Sequence, residues 1–221
     1  MVYSNSRKLT LSAWLKRNSE KEYNSSLKLQ KFLFFYESFS KVAGDTADFD
    51  HLRGYKNGPV FSNVWGDYTK EHYDFERAAE ENFAKFGESI NQERALQCAF
   101  LVATLSESEL SSLTHKMNIW SSQEQLINQN VQQVSLNESD FNETDKKIIE
   151  MLSCMYPVDM IKSSRVIQLD NFYFVISEEN FKNFTEEHID ILLSIIQTEE
   201  ARRYLNNPVF IEIEGGTLII D

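Results

Sequence analysis

The residues of this chain that could carry acid–base, nucleophilic or metal chemistry are few and scattered. The four histidines, His51, His72, His115 and His188, stand in no H-E-x-x-H or Cys/His spacing, so the sequence gives a zinc site no support. Cys98 and Cys154 lie far apart, outside any Cys-x-x-Cys spacing, and read as two buried free thiols of a reducing compartment. There is no G-x-S-x-G elbow, and none of the 7 glycines opens a phosphate loop ending in Lys-Ser or Lys-Thr. Gly215-Gly216 has no helix after it to hold an anion. The acid pairs Glu80-Glu81 and Glu186-Glu187 fall in polar helical stretches, where solvation or the positive end of a helix accounts for them. His115 is conceivable as a base, yet a histidine near a helix end is more often capping or packed. The expectation is a protein without catalytic constellation, cofactor or metal, and not an enzyme.

The elements that would position these residues follow from periodicity. Positions 7–17 read as a short helix burying Leu9, Ala13, Trp14 and Leu15, and 18–26 as a polar connector with Asn24, Ser25 and Ser26 as candidate caps. The strongest helix spans 27–42. Leu29, Phe32, Leu33, Tyr36 and Phe39 recur at helical spacing, with Phe34 and Phe35 on other sides, so the helix is apolar nearly all round and expected to be central. An exposed aromatic anchor in this run is the competing reading. Gly58-Pro59 is expected to open a second helix with Val60, Val64 and Tyr68 facing inward. Further helices are expected over 73–86 and 92–105, then after the Ser106-x-x-Glu109 capping box and after Ser121 or Ser122.

The polar stretch 129–142 is expected to hold a domain boundary. Beyond it, 143–155 reads as a helix, and Asp170-Asn171 as a tight turn between strands. One long helix is expected over 186–205, with Ile189, Leu192, Leu193 and Ile196 on one stripe. Gly215-Gly216 should turn a final hairpin. The fold class expected is therefore mainly α: a helical domain over 1–135, then a smaller acidic α+β region over 136–221 with one or two β-hairpins.

Charge follows the same division. The net charge is −12. Positions 1–135 hold 15 basic and 17 acidic residues, and positions 136–221 hold 7 and 17, while the first 41 residues alone carry 8 basic and 3 acidic ones. The acidic part opposes phosphate backbones, so DNA is not an expected partner. The first eleven residues lack an apolar stretch, and no apolar run reaches the ~18 residues of a membrane span. A cytoplasmic protein without membrane contact is expected.

Three stretches together resemble the Panacea domain, the SocA-like antitoxin module also described as phage-associated protein GepA. Leu27-Lys28-Leu29-Gln30-Lys31-Phe32-Leu33-Phe34-Phe35 looks like the family's "KLQKLLYF" helix. Tyr55-Lys56-Asn57-Gly58-Pro59-Val60-Phe61, with Val64-Trp65 after it, is similar to its "W-x-x-GPV" turn. Leu113-Thr114-His115 with Trp120 looks like its "LTH…PW" segment. Order and spacing agree over roughly positions 8–128. Tyr55 stands where tryptophan is more usual and Ile119 where proline is expected, and 136–221 has no counterpart.

The resemblance implies a helical module acting as the antitoxin of a type II toxin–antitoxin system of phage-defence or prophage origin, neutralising a cognate toxin by direct protein–protein contact. Alternatives are a DNA-binding regulator, or an adaptor that delivers the toxin to a protease such as ClpXP. Leu29, Gln30, Phe32, Leu33, Gly58, Pro59, Val60, Trp65, Thr114, His115 and Trp120 are expected to build the fold of the module. Tyr55, Lys56, Asn57 and Phe61 are expected as exposed partner contacts, with Lys28 and Lys31 on basic helix faces that steer an acidic partner.

Overall fold

Asn5 opens the first helix, α1 (Ser6–Asn18), by accepting the Lys8 amide at 2.9 Å. In the computed structural model, which describes residues 1–131 and 133–220, a short helix α2 (Glu20–Tyr23) occupies part of the connector expected to be irregular. Gln132, within the expected boundary stretch, and Asp221 lie outside the described residues. Of the three candidate caps, Ser25 accepts the Lys28 amide and starts α3 (Ser26–Val42).

Helix α3 is central, as its all-round apolar surface predicts. Leu29, Phe32, Leu33, Phe34 and Phe35 are all 0% exposed. Burying every face also buries polar groups, and each then needs a partner. The Ser38 and Ser40 hydroxyls donate to the Phe34 and Tyr36 carbonyls of their own helix, both at 2.8 Å. Glu37 is met by two cations of α1, Arg7 Nε at 2.8 Å and Lys8 Nζ at 2.6 Å. Lys8 also reaches Asp48 at 3.2 Å. Removing one member of this buried set would strand the others, so the network fixes α1 on α3. Gly44, at φ +77°, follows the end of α3.

The segment after α3 departs from expectation. Gly58-Pro59 does not open a helix. β1 (Leu52–Tyr55) and β2 (Gly58–Phe61) form an antiparallel hairpin, registered from Tyr55↔Gly58 to Leu52↔Phe61. The helix α4 (Ser62–Lys70) starts after Phe61. The missing N–H of proline is as harmless on an edge strand as in a first helical turn, and β2 is an edge of its sheet. Val64 is buried as expected, whereas Val60 and Tyr68 are half-buried. α5 (His72–Phe86), α6 (Gln92–Thr104), α7 (Glu107–His115), α8 (Asn118–Ser121) and α9 (Glu124–Asn128) follow. Ser121 and Ser122 do not cap α9. They end α8, and Gln123 precedes α9.

β3 (Val134–Ser135) then pairs with β1, giving the order β2-β1-β3, and α10 (Glu143–Met155) packs on α3. The buried Asp145 carboxylate accepts the Asn118 amide and, at 3.0 Å, the Ile119 amide, closing the start of α8. Burial raises its pKa above the usual carboxylate value. One compact unit thus comprises Met1–Val102 and Glu107–Met155, and the polar stretch expected to be a boundary at 135/136 lies within it. Of the two cysteines, both free, Cys98 is buried as expected but Cys154 is exposed.

The second unit comprises Ala103–Ser106 and Tyr156–Asp221. After α11 (Val158–Lys162) come β4 (Ser164–Leu169) and β5 (Phe172–Ser177), joined at Asp170, whose φ is +53°. α12 (Glu178–Phe181), α13 (Glu186–Ile196) and α14 (Glu199–Tyr204) lead to β6 (Val209–Glu214) and β7 (Thr217–Ile220). The sheet order is β4-β5-β6-β7, with β5 and β6 parallel. Gly215 and Gly216 take φ +57° and +84°, the positive values that a two-residue hairpin needs. The long helix expected over 186–205 is instead two. Thr198 accepts the Ala201 amide at 3.1 Å and caps α14, the competition with helix interior for which threonine is suited. Leu193 leaves the expected stripe for the surface, while Leu192 and Ile196 pack with Phe174, Ile176, Val209 and Ile211. The protein is mainly α with a small C-terminal sheet, and among the described residues no helix is long and apolar enough to cross a membrane.

Phe32→Ala should cost about 3–5 kcal/mol and Leu192→Ala about 2–5 kcal/mol, through lost burial and residual cavity. Urea unfolding of the full chain, followed by tryptophan fluorescence and circular dichroism, reads both. An unmoved midpoint for Phe32→Ala would refute the central position of α3.

Candidate functional site

The three motif stretches are far apart in sequence and meet at one place. Lys31 projects from α3 and is 1% exposed. Its Nζ donates to the Asn57 carbonyl at 2.5 Å and to the Thr114 hydroxyl at 3.2 Å, joining the helix motif to the hairpin turn and to α7. Ser111 Oγ donates to the same Asn57 carbonyl at 3.2 Å, and the Thr114 hydroxyl donates to the Leu110 carbonyl at 3.1 Å. Gln30, one residue before Lys31, accepts the Phe61 amide at 2.8 Å, so α3 also holds the far end of β2.

Gly58 is required here for two reasons. Its φ is +100°, and an added Cβ would overlap the Lys31 Nζ and the Thr114 hydroxyl. The turn residues Lys56 and Asn57 are exposed above it. Trp120 Nε1 donates to the Tyr55 carbonyl at 3.0 Å, and the Trp120 ring stacks on His115 with centroids 3.7 Å apart and planes 16° from parallel. His115 is hydrogen-bonded to the Lys56 backbone, while its Nε2 is buried without a partner.

The electrostatics follow from burial. Among the described residues no carboxylate lies within ion-pair distance of Lys31, and both of its hydrogen-bond acceptors are neutral. Burial alone therefore brings its pKa down to about 7. Burial and the nearby Lys31 charge both lower the His115 pKa, against the opposing hydrogen bond that the imidazole donates to the Lys56 backbone.

Beside the turn lies a cavity of about 390 Å³, large enough for one or two side chains or a small ligand. Leu27, Pro59, Val60 and Trp65 supply its apolar lining, and Tyr55, Lys56 and Asn57 form its turn side. Trp65 is 41% exposed at the rim. The structure thus brings Gln30, Lys31, Tyr55, Lys56, Asn57, Pro59, Val60 and Trp65 to one groove, with Thr114, His115 and Trp120 behind the turn. Leu29, Phe32 and Leu33 are in the core and not at the groove. Ser26 and Leu27 line the groove as well. Leu27 stands four residues before Lys31, the spacing that would have placed both on one helix face.

Three expected contacts are corrected by burial. Phe61 is 0% exposed, because its alternating place in β2 turns it to the core. Lys28 and Lys31 are buried too, Lys28 lying 3.9 Å from Glu22. They form no basic surface, and Arg7, Lys8, Lys16, Arg17 and Lys41 are engaged by acidic side chains. Among the described residues no cluster of three or more histidine, cysteine, aspartate or glutamate side chains could hold a metal ion. Comparison with protein-family models, with curated proteins and with solved structures finds no match to this chain.

A lysine whose folded pKa lies below its unfolded value of ~10.4 binds its proton more weakly in the folded state. It penalises folding fully below about pH 7. The penalty lifts as the pH rises toward the unfolded value, by up to about 1.4 kcal/mol per pH unit for one proton. The stability of the wild type should therefore rise relative to Lys31→Met between pH 7 and pH 9.5, read as the difference between their urea unfolding free energies. The difference cancels Lys28 and the tyrosines, and His115 titrates below this window. A flat difference would contradict a depressed Lys31. Gly58→Ala should destabilise by more than about 1 kcal/mol, combining positive φ with overlap. An unchanged thermal midpoint for that variant would show that the turn relaxes freely.

Proposed function

We propose that this chain is an antitoxin of the Panacea, SocA-like type, which neutralises a separate toxin protein by stoichiometric contact through the Lys31-braced groove. One observation carries the reading: the three stretches that resemble the family meet at a single site, where the first two line an open apolar groove and the third backs its turn. Residues that only filled a core would not need to leave Trp65, Lys56 and Asn57 exposed beside a cavity of about 390 Å³. Exposed aromatic side chains around a concave apolar patch are the usual composition of an interface centre.

A stable complex would bury about 1,200–2,000 Å² in total, so the groove would be its centre and the surrounding helices its rim. The rival reading as a DNA-binding regulator draws little from the basic N-terminal residues, since those cations are spent on internal carboxylates. Delivery of the bound toxin to a protease would use the same contact and remains compatible with it.

Co-expression with the product of the adjacent gene tests the proposal. The neighbour alone should arrest growth, the pair should grow, and a one-to-one complex should be isolated. Tyr55→Ala together with Trp65→Ala should weaken that complex by about 30-fold or more, as expected for anchors worth at least ~2 kcal/mol, while the circular dichroism stays unchanged. A harmless neighbour, or rescue without a physical complex, would refute direct neutralisation.

A further inference from the structure

The charges around the groove narrow what can enter it. Its ionisable lining residues are Lys31, Lys56 and Tyr55, and among the described residues no acidic side chain lines it, on a chain of net charge −12. Two other cavities show the contrast. In one of about 230 Å³, Arg7 is taken by Glu37. In another of about 330 Å³, Arg94 is taken by Asp45, with Glu93 and Glu150 also in the lining. At the groove, among the described residues, neither lysine has a carboxylate within ion-pair distance. Lys31 lies beneath the turn with its ammonium on neutral oxygens, and Lys56 stands exposed at the rim. Burial leaves Lys31 only partly protonated near neutral pH, so the lasting positive charge of the groove is that of the exposed Lys56.

We infer that the groove receives a segment of the partner protein in which a large apolar side chain is flanked by a carboxylate. The inference rests on the proposed antitoxin function and specifies the chemistry of its partner. The apolar side chain lies between Leu27, Pro59 and Trp65. The carboxylate sits at the rim beside Lys56, within the field of Lys31. Apolar area supplies the attraction, and Lys56 selects sign, with Lys31 adding to it to the extent that it is protonated: a basic residue at the same place would meet a like charge.

Selection of a random peptide library on the immobilised full chain, with Lys56→Glu as counter-selection, tests this without knowing the partner. Lys56 is an exposed turn residue, and circular dichroism with a urea midpoint verifies that the variant folds. Enriched peptides should carry aspartate or glutamate within two residues of a Phe, Trp, Leu or Ile. Changing that acid to its amide should weaken binding at least ten-fold, as should Lys56→Glu and Trp65→Ala. Enrichment of neutral or basic peptides, equal binding to Lys56→Glu, or no groove-dependent peptide at all would each overturn the inference. So would a small anionic molecule found in the groove by native mass spectrometry of the purified chain. The selection uses no neighbouring gene product. A harmless neighbour would therefore sink the antitoxin reading alone, and an empty selection beside a rescuing neighbour would sink the charge rule alone.

Discussion

A lysine ammonium removed from water normally finds a carboxylate, and Lys31 finds two neutral oxygens instead, the Asn57 carbonyl and the Thr114 hydroxyl. The rest of the site depends on that choice. Asn57 belongs to the turn, Thr114 to α7, and Lys31 to the central helix, so one side chain fixes three segments together. Gly58 is the residue that lets the turn come down onto the ammonium, because any side chain there would collide with it. Burial with neutral partners is costly for a charge, which is why the Lys31 pKa falls to about 7. Glu37 on the same helix illustrates the opposite solution, with Arg7 and Lys8 balancing it at 2.8 and 2.6 Å.

The arrangement has a functional consequence. A turn held from beneath presents Lys56 and Asn57 outward without needing a partner to order them, which lowers the entropic cost of any contact made there. Rigid backing, an exposed indole at the rim and an apolar cavity are the properties of a preformed binding centre. The same bracing explains why Leu29, Phe32 and Leu33 matter to the site without touching it: they hold α3, and α3 holds the turn.

Much of the fold is legible in the sequence where one principle dominates. The aromatic run of α3 has no polar face, so its central position is readable directly. Gly215-Gly216 and Asp170-Asn171 declare their hairpins because glycine, and to a lesser degree Asp and Asn, take positive φ at the least cost, as Gly215, Gly216 and Asp170 do here. Legibility fails where two structures use the same residue. Pro59 suits an edge strand as well as a first helical turn, and only the pairing of β2 with β1 decides. Thr198 breaks the expected helix with a hydroxyl cap, and Glu199 and Glu200 stand where the apolar stripe through Leu192 and Ile196 would continue. Lys28, Lys31 and Phe61 look like surface residues by type or by position in a turn motif, and tertiary packing buries all three. The groove itself was legible only as a set of residues near a motif. That they share one wall follows from the hairpin, whose second strand stands where Gly58-Pro59 reads as the start of a helix.

The titration of Lys31 tests this account most directly. Chain labelled with carbon-13 at the lysine ε position, followed by NMR from pH 5 to pH 11, reports each ammonium separately, and Lys31→Met assigns the resonance. One lysine titrating near pH 7, with its signal absent in the variant, is the predicted result. A Lys31 signal titrating near ~10.4 with the solvated lysines would mean that the ammonium is not held in a buried, carboxylate-free site, and the braced turn on which the groove depends would not exist as described.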